Sequence, residues 1–186
     1  LGTYPRYLAG KLELEGEQWD YITIDDLRAF RKGRLGLRTP LPSQKSDIFT
    51  YNQTYQDIGR ILGNCSLLMV NLGVHAPGKY LSAVPGTLHE VIPLIEALQC
   101  EKILTGPAVF GTSLQGGRMF EKADLSVFSK VDAMKFSFEQ ISSLSLAGAK
   151  IVERIPGLRI IEIETARGCS RKVGCSFCTE PIKNRF

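Results

Sequence analysis

Two rhythms of apolar residues run along the chain, one with the period of a helix and one with that of a strand. Tyr4, Tyr7, Leu8, Leu12 and Leu14 recur at helical spacing and Gly16 supplies a stop, so residues 1–16 are expected to form a helix. Trp19 to Ile24 alternates apolar and polar residues, the pattern of a strand. Ile48, Tyr51, Tyr55, Ile58, Ile61 and Leu62 make a helical stripe over residues 47–62. Cys65 to Val70 is a continuous apolar run bounded by Gly63 and Asn71, which suits a strand buried on both faces. Thr87 is placed to cap a helix whose apolar positions are Leu88, Val91, Ile92, Leu94, Ile95 and Leu98, with Pro93 expected to bend it. Lys102 to Thr105 reads as the next strand and Gly106-Pro107 as its turn. A short strand is expected over Ala123–Phe128, then a helix over Phe138–Ile155 that Gly148 weakens. Arg159 to Glu164 closes the series as a last strand.

Strand, loop, helix and strand in that order make a βαβ unit, so the fold class is α/β, a Rossmann-like parallel sheet with flanking helices. A helix that precedes every strand implies a first strand upstream of Leu1. Pro156-Gly157 marks the expected domain boundary. It divides a Rossmann-like domain over residues 1–155 from the start of a second domain over residues 156–186.

Composition narrows the class only a little. Hydrophobic residues make up 44% and charged residues 23%, ordinary for a globular domain. No apolar run approaches the ~20 residues that span a bilayer, so no membrane partner is expected. Charge changes the picture more. Between Ala166 and Phe186 stand Arg167, Arg171, Lys172, Lys183 and Arg185 against the single acid Glu180, so the net charge of +4 resides entirely there. No aromatic stacking platform or recognition motif accompanies it, and nucleic acid is not indicated. A second basic stretch, Leu27 to Ser46, interleaves Arg28, Arg31, Lys32, Arg34, Arg38 and Lys45 with Gly33, Gly36, Pro40 and Pro42. It reads first as a solvated loop, with a phosphate or substrate clamp as its functional reading.

Ligands of parallel sheets bind beyond the carboxyl ends of the strands. Here those ends offer Asn71 and Gly73, then Thr105 and Gly106, then the loop Gly111–Gly117. His75 reads as a surface-loop histidine and His89 as an ordinary helix residue. Cys65 and Cys100 begin a strand and end a helix, and read most simply as small buried hydrophobes.

The densest chemistry is Glu164-Thr-Ala-Arg-Gly-Cys-Ser-Arg-Lys-Val-Gly-Cys-Ser-Phe-Cys178, in which Cys169, Cys175 and Cys178 are spaced C-x5-C-x2-C. Thiolates are soft ligands for zinc and for iron–sulfur clusters. Three rather than four of them leave a cubane cluster with one open iron, whereas a structural zinc site wants four protein ligands. Arg167, Arg171 and Lys172 lower thiol pKa values and balance a thiolate-ligated cluster. Gly168 and Gly174 each precede a cysteine, where tight turning of the backbone is useful. Three bland readings stand beside this one. The site could be zinc completed by another ligand, Cys65 or Cys100 among them; Cys175 and Cys178 could form a dithiol redox pair; or the cysteines could staple the chain as a disulfide.

Arg-Gly-Cys followed by Cys-Ser-Phe-Cys resembles the cluster loop of radical S-adenosylmethionine (radical SAM) enzymes. Its first gap is two residues longer than the family's C-x3-C. The Glu-Thr-x-Arg-Gly-Cys approach is similar to members that carry an amino-terminal cobalamin (B12)-binding-type domain. The resemblance implies a [4Fe–4S] cluster on Cys169, Cys175 and Cys178, with S-adenosylmethionine at the open iron and Phe177 near its adenine. It also implies a partial (β/α) barrel whose first strand is Arg159–Glu164, an external electron donor, a reducing cytoplasmic location, and a substrate that the sequence leaves open. The remaining barrel would lie beyond Phe186, so these residues alone are expected to be inactive. Asn71, Gly73, Thr105 and Gly106 occupy positions that in cobalamin-binding domains pack against the corrin and its nucleotide tail. The Asp-x-His-x-x-Gly motif is absent, however, and Gly106-Pro107 has one glycine where many relatives have two. These departures favour a domain that keeps the fold without cobalamin. The alternative from another class is a Rossmann-like ligand-binding module with a zinc-binding cysteine tail.

Overall fold

The computed structural model describes residues 3–31, 55–72, 86–106, 109, 123–132 and 134–153. Within them the order is α1 (Thr3–Leu14), α2 (Ile24–Arg31), α3 (Tyr55–Asn64), β1 (Leu67–Asn71), α4 (Leu88–Ile95), β2 (Glu101–Thr105), β3 (Lys130–Val131), α5 (Phe138–Ala147) and α6 (Lys150–Glu153). The described strands form one open parallel sheet in the order β1-β2-β3. This is an α/β fold built on the expected βαβ unit, β1–α4–β2. The expected last strand, Arg159–Glu164, and the boundary at Pro156-Gly157 lie outside the described residues.

Helix α4 forms as its sequence dictates. Thr87 Oγ1 accepts from the Glu90 amide at 3.2 Å, the capping bond that satisfies one orphan amide of the first turn. Leu88, Val91 and Ile95 are buried on one face and join Val70, Leu72, Leu104 and Phe128 in the core beneath the sheet. Helix α1 likewise stops where Gly16 permits it. Gly16 takes φ of +76°, and the Glu17 amide returns to the Leu12 carbonyl at 3.0 Å, closing a Schellman-type end.

Three elements differ from the pattern. The segment expected as strand Trp19–Ile24 is not a strand, and Ile24 opens α2 instead. Thr23 Oγ1 accepts from the Asp26 amide at 3.1 Å while the Asp26 carboxylate accepts from the Thr23 amide at 2.8 Å. This reciprocal cap starts a helix, and Ile24 packs against the core, so apolar alternation there reports burial rather than a ladder. The strand expected at Ala123–Phe128 falls at Lys130–Val131. The Phe128 amide turns back to the Leu125 carbonyl at 3.0 Å, and the ladder runs from Ser129 N to Lys102 O and Asp132 N to Leu104 O, each 2.9 Å. The helix expected over Phe138–Ile155 is broken at Gly148 into α5 and α6.

Helix α1 lies on α5. Tyr7, Leu8 and Ala9 are buried, as are Leu144 and Ile151. Phe136, just before α5, meets the rings of Tyr4 and Tyr7 with centroids 5.5 and 5.8 Å away, in tilted and edge-on geometries favoured by aromatic quadrupoles.

Candidate functional site at the carboxyl ends of the strands

Parallel pairing in register sets Asn71, the last residue of β1, beside Thr105, the last of β2. Gly106 follows with φ of +83°. A Cβ there would stand 2.1 Å from Asn71 Oδ1 and 2.9 Å from the Leu72 carbonyl, so only glycine fits the turn. Asn71, Thr105 and Gly106, all expected at a cofactor site, are thus brought together at one sheet end. Gly73, the fourth of that group, lies outside the described residues, and so do Cys169, Cys175, Cys178 and Phe177.

Thr105 is fully buried, and its hydroxyl is already engaged. Tyr4 Oη lies 3.0 Å from Thr105 Oγ1 and donates to the Met134 carbonyl at 2.6 Å. With the phenol proton given to Met134, the threonine hydroxyl is the donor to Tyr4. Burial raises the Tyr4 pKa above its ordinary value, and the nearby Asp132 carboxylate pushes the same way; hydrogen bonds from Thr105 and the Gly106 backbone oppose this in part. The phenol therefore stays neutral across the physiological range. Helix α1 thus reaches over the end of β2 through Tyr4, a relationship that the spacing of apolar residues does not signal.

Asn71 Oδ1 is the exception to this pairing. It is buried and has no hydrogen-bond partner, an arrangement that calls for an N–H or O–H donor from outside the pairs described. A neutral amide oxygen of this kind suits an amide, hydroxyl or water donor as its partner. Among the described residues the Thr105 hydroxyl is already bonded to Tyr4, so a corrin or nucleotide tail reaching it would have to displace that ring.

The basic stretch expected as a loop or a clamp begins inside α2. Arg28 is committed to protein carboxylates: its Nε and Nη2 meet both oxygens of Glu90 at 2.6 and 2.7 Å, and its Nη1 meets Asp25 at 3.0 Å. It ties α2 to the first turn of α4 and does not serve as a phosphate clamp. The rest of the stretch, Lys32 to Lys45, lies outside the described residues, as does His75. His89 is exposed on the first turn of α4.

At the opposite end of the sheet, Cys65 and Cys100 do more than fill space. Both are half-buried, and their Sγ atoms are 3.0 Å apart. Thirty-five residues separate them in sequence, so spacing gave no signal; the signal is topological, because both fall just before adjacent parallel strands. Among the described residues no cluster of three or more metal-ligating side chains occurs, and no helix is long and apolar enough to cross a membrane.

The chain is similar to an uncharacterized protein of Methanocaldococcus jannaschii, with 31% identity over 210 aligned positions that cover 97% of this chain and 34% of that protein. It thus spans about a third of the relative's length. No protein-family profile matches the chain, and no solved structure matches it.

Proposed function

We propose that this chain carries the Rossmann-like domain and the cluster loop of a radical SAM iron–sulfur enzyme. The single observation that carries the reading is the C-x5-C-x2-C spacing of Cys169, Cys175 and Cys178 beside Arg167, Arg171 and Lys172, directly after a strand-like segment. Three thiolates satisfy three irons of a cubane cluster and leave the fourth open, so the donor set fits the group. The parallel βαβ arrangement of β1, α4 and β2 supports an α/β domain of that general kind upstream.

In this reading Cys169, Cys175 and Cys178 hold a [4Fe–4S] cluster. Such a cluster, reduced by an external donor, would supply the one-electron reduction of S-adenosylmethionine on which this class of radical chemistry depends. Arg167, Arg171 and Lys172 offset the negative charge of the thiolates and of the cofactor's carboxylate. By the same resemblance Phe177 would lie near the adenine. Asn71 and Gly106 line the carboxyl end of the Rossmann-like sheet, where Asn71 Oδ1 accepts a hydrogen bond from a donor on a bound molecule. The electron donor is external, and the cytoplasm is the compartment in which such thiols persist.

Anaerobic reconstitution of the protein with iron and sulfide, followed by iron counting, tests the donor set. About four irons per chain are expected, falling sharply in Cys175→Ala and Cys178→Ala. Zinc retained at four ligands, with iron uptake unchanged by either substitution, would refute the assignment.

A further inference from the structure

We infer that Cys65 and Cys100 form a reversible dithiol site that closes to a disulfide when the protein meets a small-molecule disulfide. The inference rests on geometry at the amino end of the sheet and is independent of the cluster loop. Cys65 stands two residues before β1 and Cys100 directly before β2. The Glu101 amide bonds to the Ser66 carbonyl at 3.1 Å, so the two strands are already zipped at this point. Their thiols lie 3.0 Å apart, in direct contact. A bond of about 2.05 Å needs a side-chain adjustment of roughly 1 Å rather than a movement of strands. Asn71 and Thr105 close the far ends of the same five-residue strands, about 17 Å away at the strand rise.

The surroundings suit a dormant dithiol. Cys65 Sγ is also 3.4 Å from the Leu62 carbonyl, so its one proton has two acceptors. The Lys102 ammonium, on a buried side chain, donates to the Leu98 and Cys100 carbonyls and places a positive charge next to the pair. Burial and the adjacent Cys100 thiol push the Cys65 thiol up to about 11, with Lys102 pulling weakly the other way. The thiolate of Cys65 is therefore scarce at neutral pH, and exchange through it accelerates as pH rises.

The chemistry balances as thiol–disulfide exchange. One thiolate of the pair attacks the oxidant disulfide, giving a mixed disulfide and releasing one small thiol. The second cysteine then attacks the protein-side sulfur, forming Cys65–Cys100 and releasing the other small thiol. Two protein thiols are oxidised, the oxidant gains two electrons, and the two protons end on the released thiols. The bridge ties the entry of β1 to the entry of β2 across α4 and leaves the opposite sheet end untouched.

Peptide mapping of the full chain tests this. The reduced protein is incubated with oxidised glutathione at pH 8, alkylated, digested and analysed by mass spectrometry. A cross-linked peptide pair joining Cys65 to Cys100 is expected, lost on dithiothreitol and still formed when Cys169, Cys175 and Cys178 are all changed to Ser. The oxidised protein is also expected to show a higher urea midpoint than the reduced one, with Cys100→Ser showing no such difference. Separate alkylation or glutathionylation of Cys65 and Cys100, or pairing of either with the carboxyl-terminal cysteines, would overturn the inference.

Discussion

The backbones of Gly10 and Gly148 meet with no side chain between them: a Cβ on Gly148 would fall 1.9 Å from the Arg6 carbonyl oxygen and 2.8 Å from the Gly10 amide. A Cβ on Gly10 would fall 2.0 Å from the Leu144 carbonyl oxygen. The obstructing atoms are backbone, so neither clash can be relieved by a rotamer change. Gly148 thus does two things that its low helix propensity alone suggests only in part. It ends α5, and it lets α1 pack directly against that end. Since α1 carries Tyr4 to Thr105, the crossing also positions the cover on β2.

Gly10→Ala and Gly148→Ala are each expected to cost about 1–3 kcal/mol, the range for overpacking that backbone shifts must relieve. Urea denaturation followed by circular dichroism measures it. The double variant should cost less than the sum, since one displacement of α1 relieves both clashes. A cost under about 0.5 kcal/mol in either single variant, the range of ordinary surface changes, would show that the helices do not cross here.

Arg28 predicts a second loss. Its guanidinium grips Glu90 by both oxygens and also holds Asp25, which is only 4% exposed. Arg28→Ala removes the guanidinium that this buried carboxylate and Glu90 share and should cost about 2–4 kcal/mol. Arg28→Lys should recover only part of this, because an ammonium cannot match the forked geometry. The urea midpoint of each variant checks the order.

Much of this architecture could be read from apolar spacing. The βαβ unit, the Thr87 cap and the Gly16 stop follow directly from which residues are apolar and which can cap. The failures share a cause. At Trp19–Ile24 and Ala123–Phe128 the alternation recorded side chains reaching the core, while Thr23 with Asp26, and the turn from Leu125 to Phe128, decided the backbone. The site divides in the same way. Asn71, Thr105 and Gly106 were placed by the rule for strand ends, but the Tyr4 cover and the Cys65–Cys100 pair arise from contacts over 101 and 35 residues, which no local pattern encodes.

Tyr4 gives a pH prediction. Its folded pKa is raised by burial, so the neutral phenol stabilises the fold fully below its unfolded value of 10.0. That contribution is lost as pH rises through the folded value. Tyr4→Phe should cost about 1–2 kcal/mol at pH 7, through the unpaired Thr105 hydroxyl and Met134 carbonyl. It should also flatten the alkaline fall in stability that this shift predicts for the native protein above pH 10. Thermal midpoints measured from pH 7 upward separate the two effects.

Cys65 adds to the same alkaline fall by the same sign. Its thiol rises from 9.0 to about 11 on folding, so stability attached to the protonated form is lost as pH climbs through that interval. Cys65→Ser should remove the part of the slope between those values while leaving the Tyr4 part in place. An unchanged slope would mean that the thiol is not held protonated by its surroundings.

The proposed open-iron cluster would be held by Cys169, Cys175 and Cys178. It is tested most directly by electron paramagnetic resonance of the reconstituted, reduced protein carrying this sequence, recorded with and without S-adenosylmethionine. A reduced [4Fe–4S] signal that changes when S-adenosylmethionine is added is the predicted result. A cluster signal indifferent to S-adenosylmethionine, or no iron signal with zinc in its place, would contradict it.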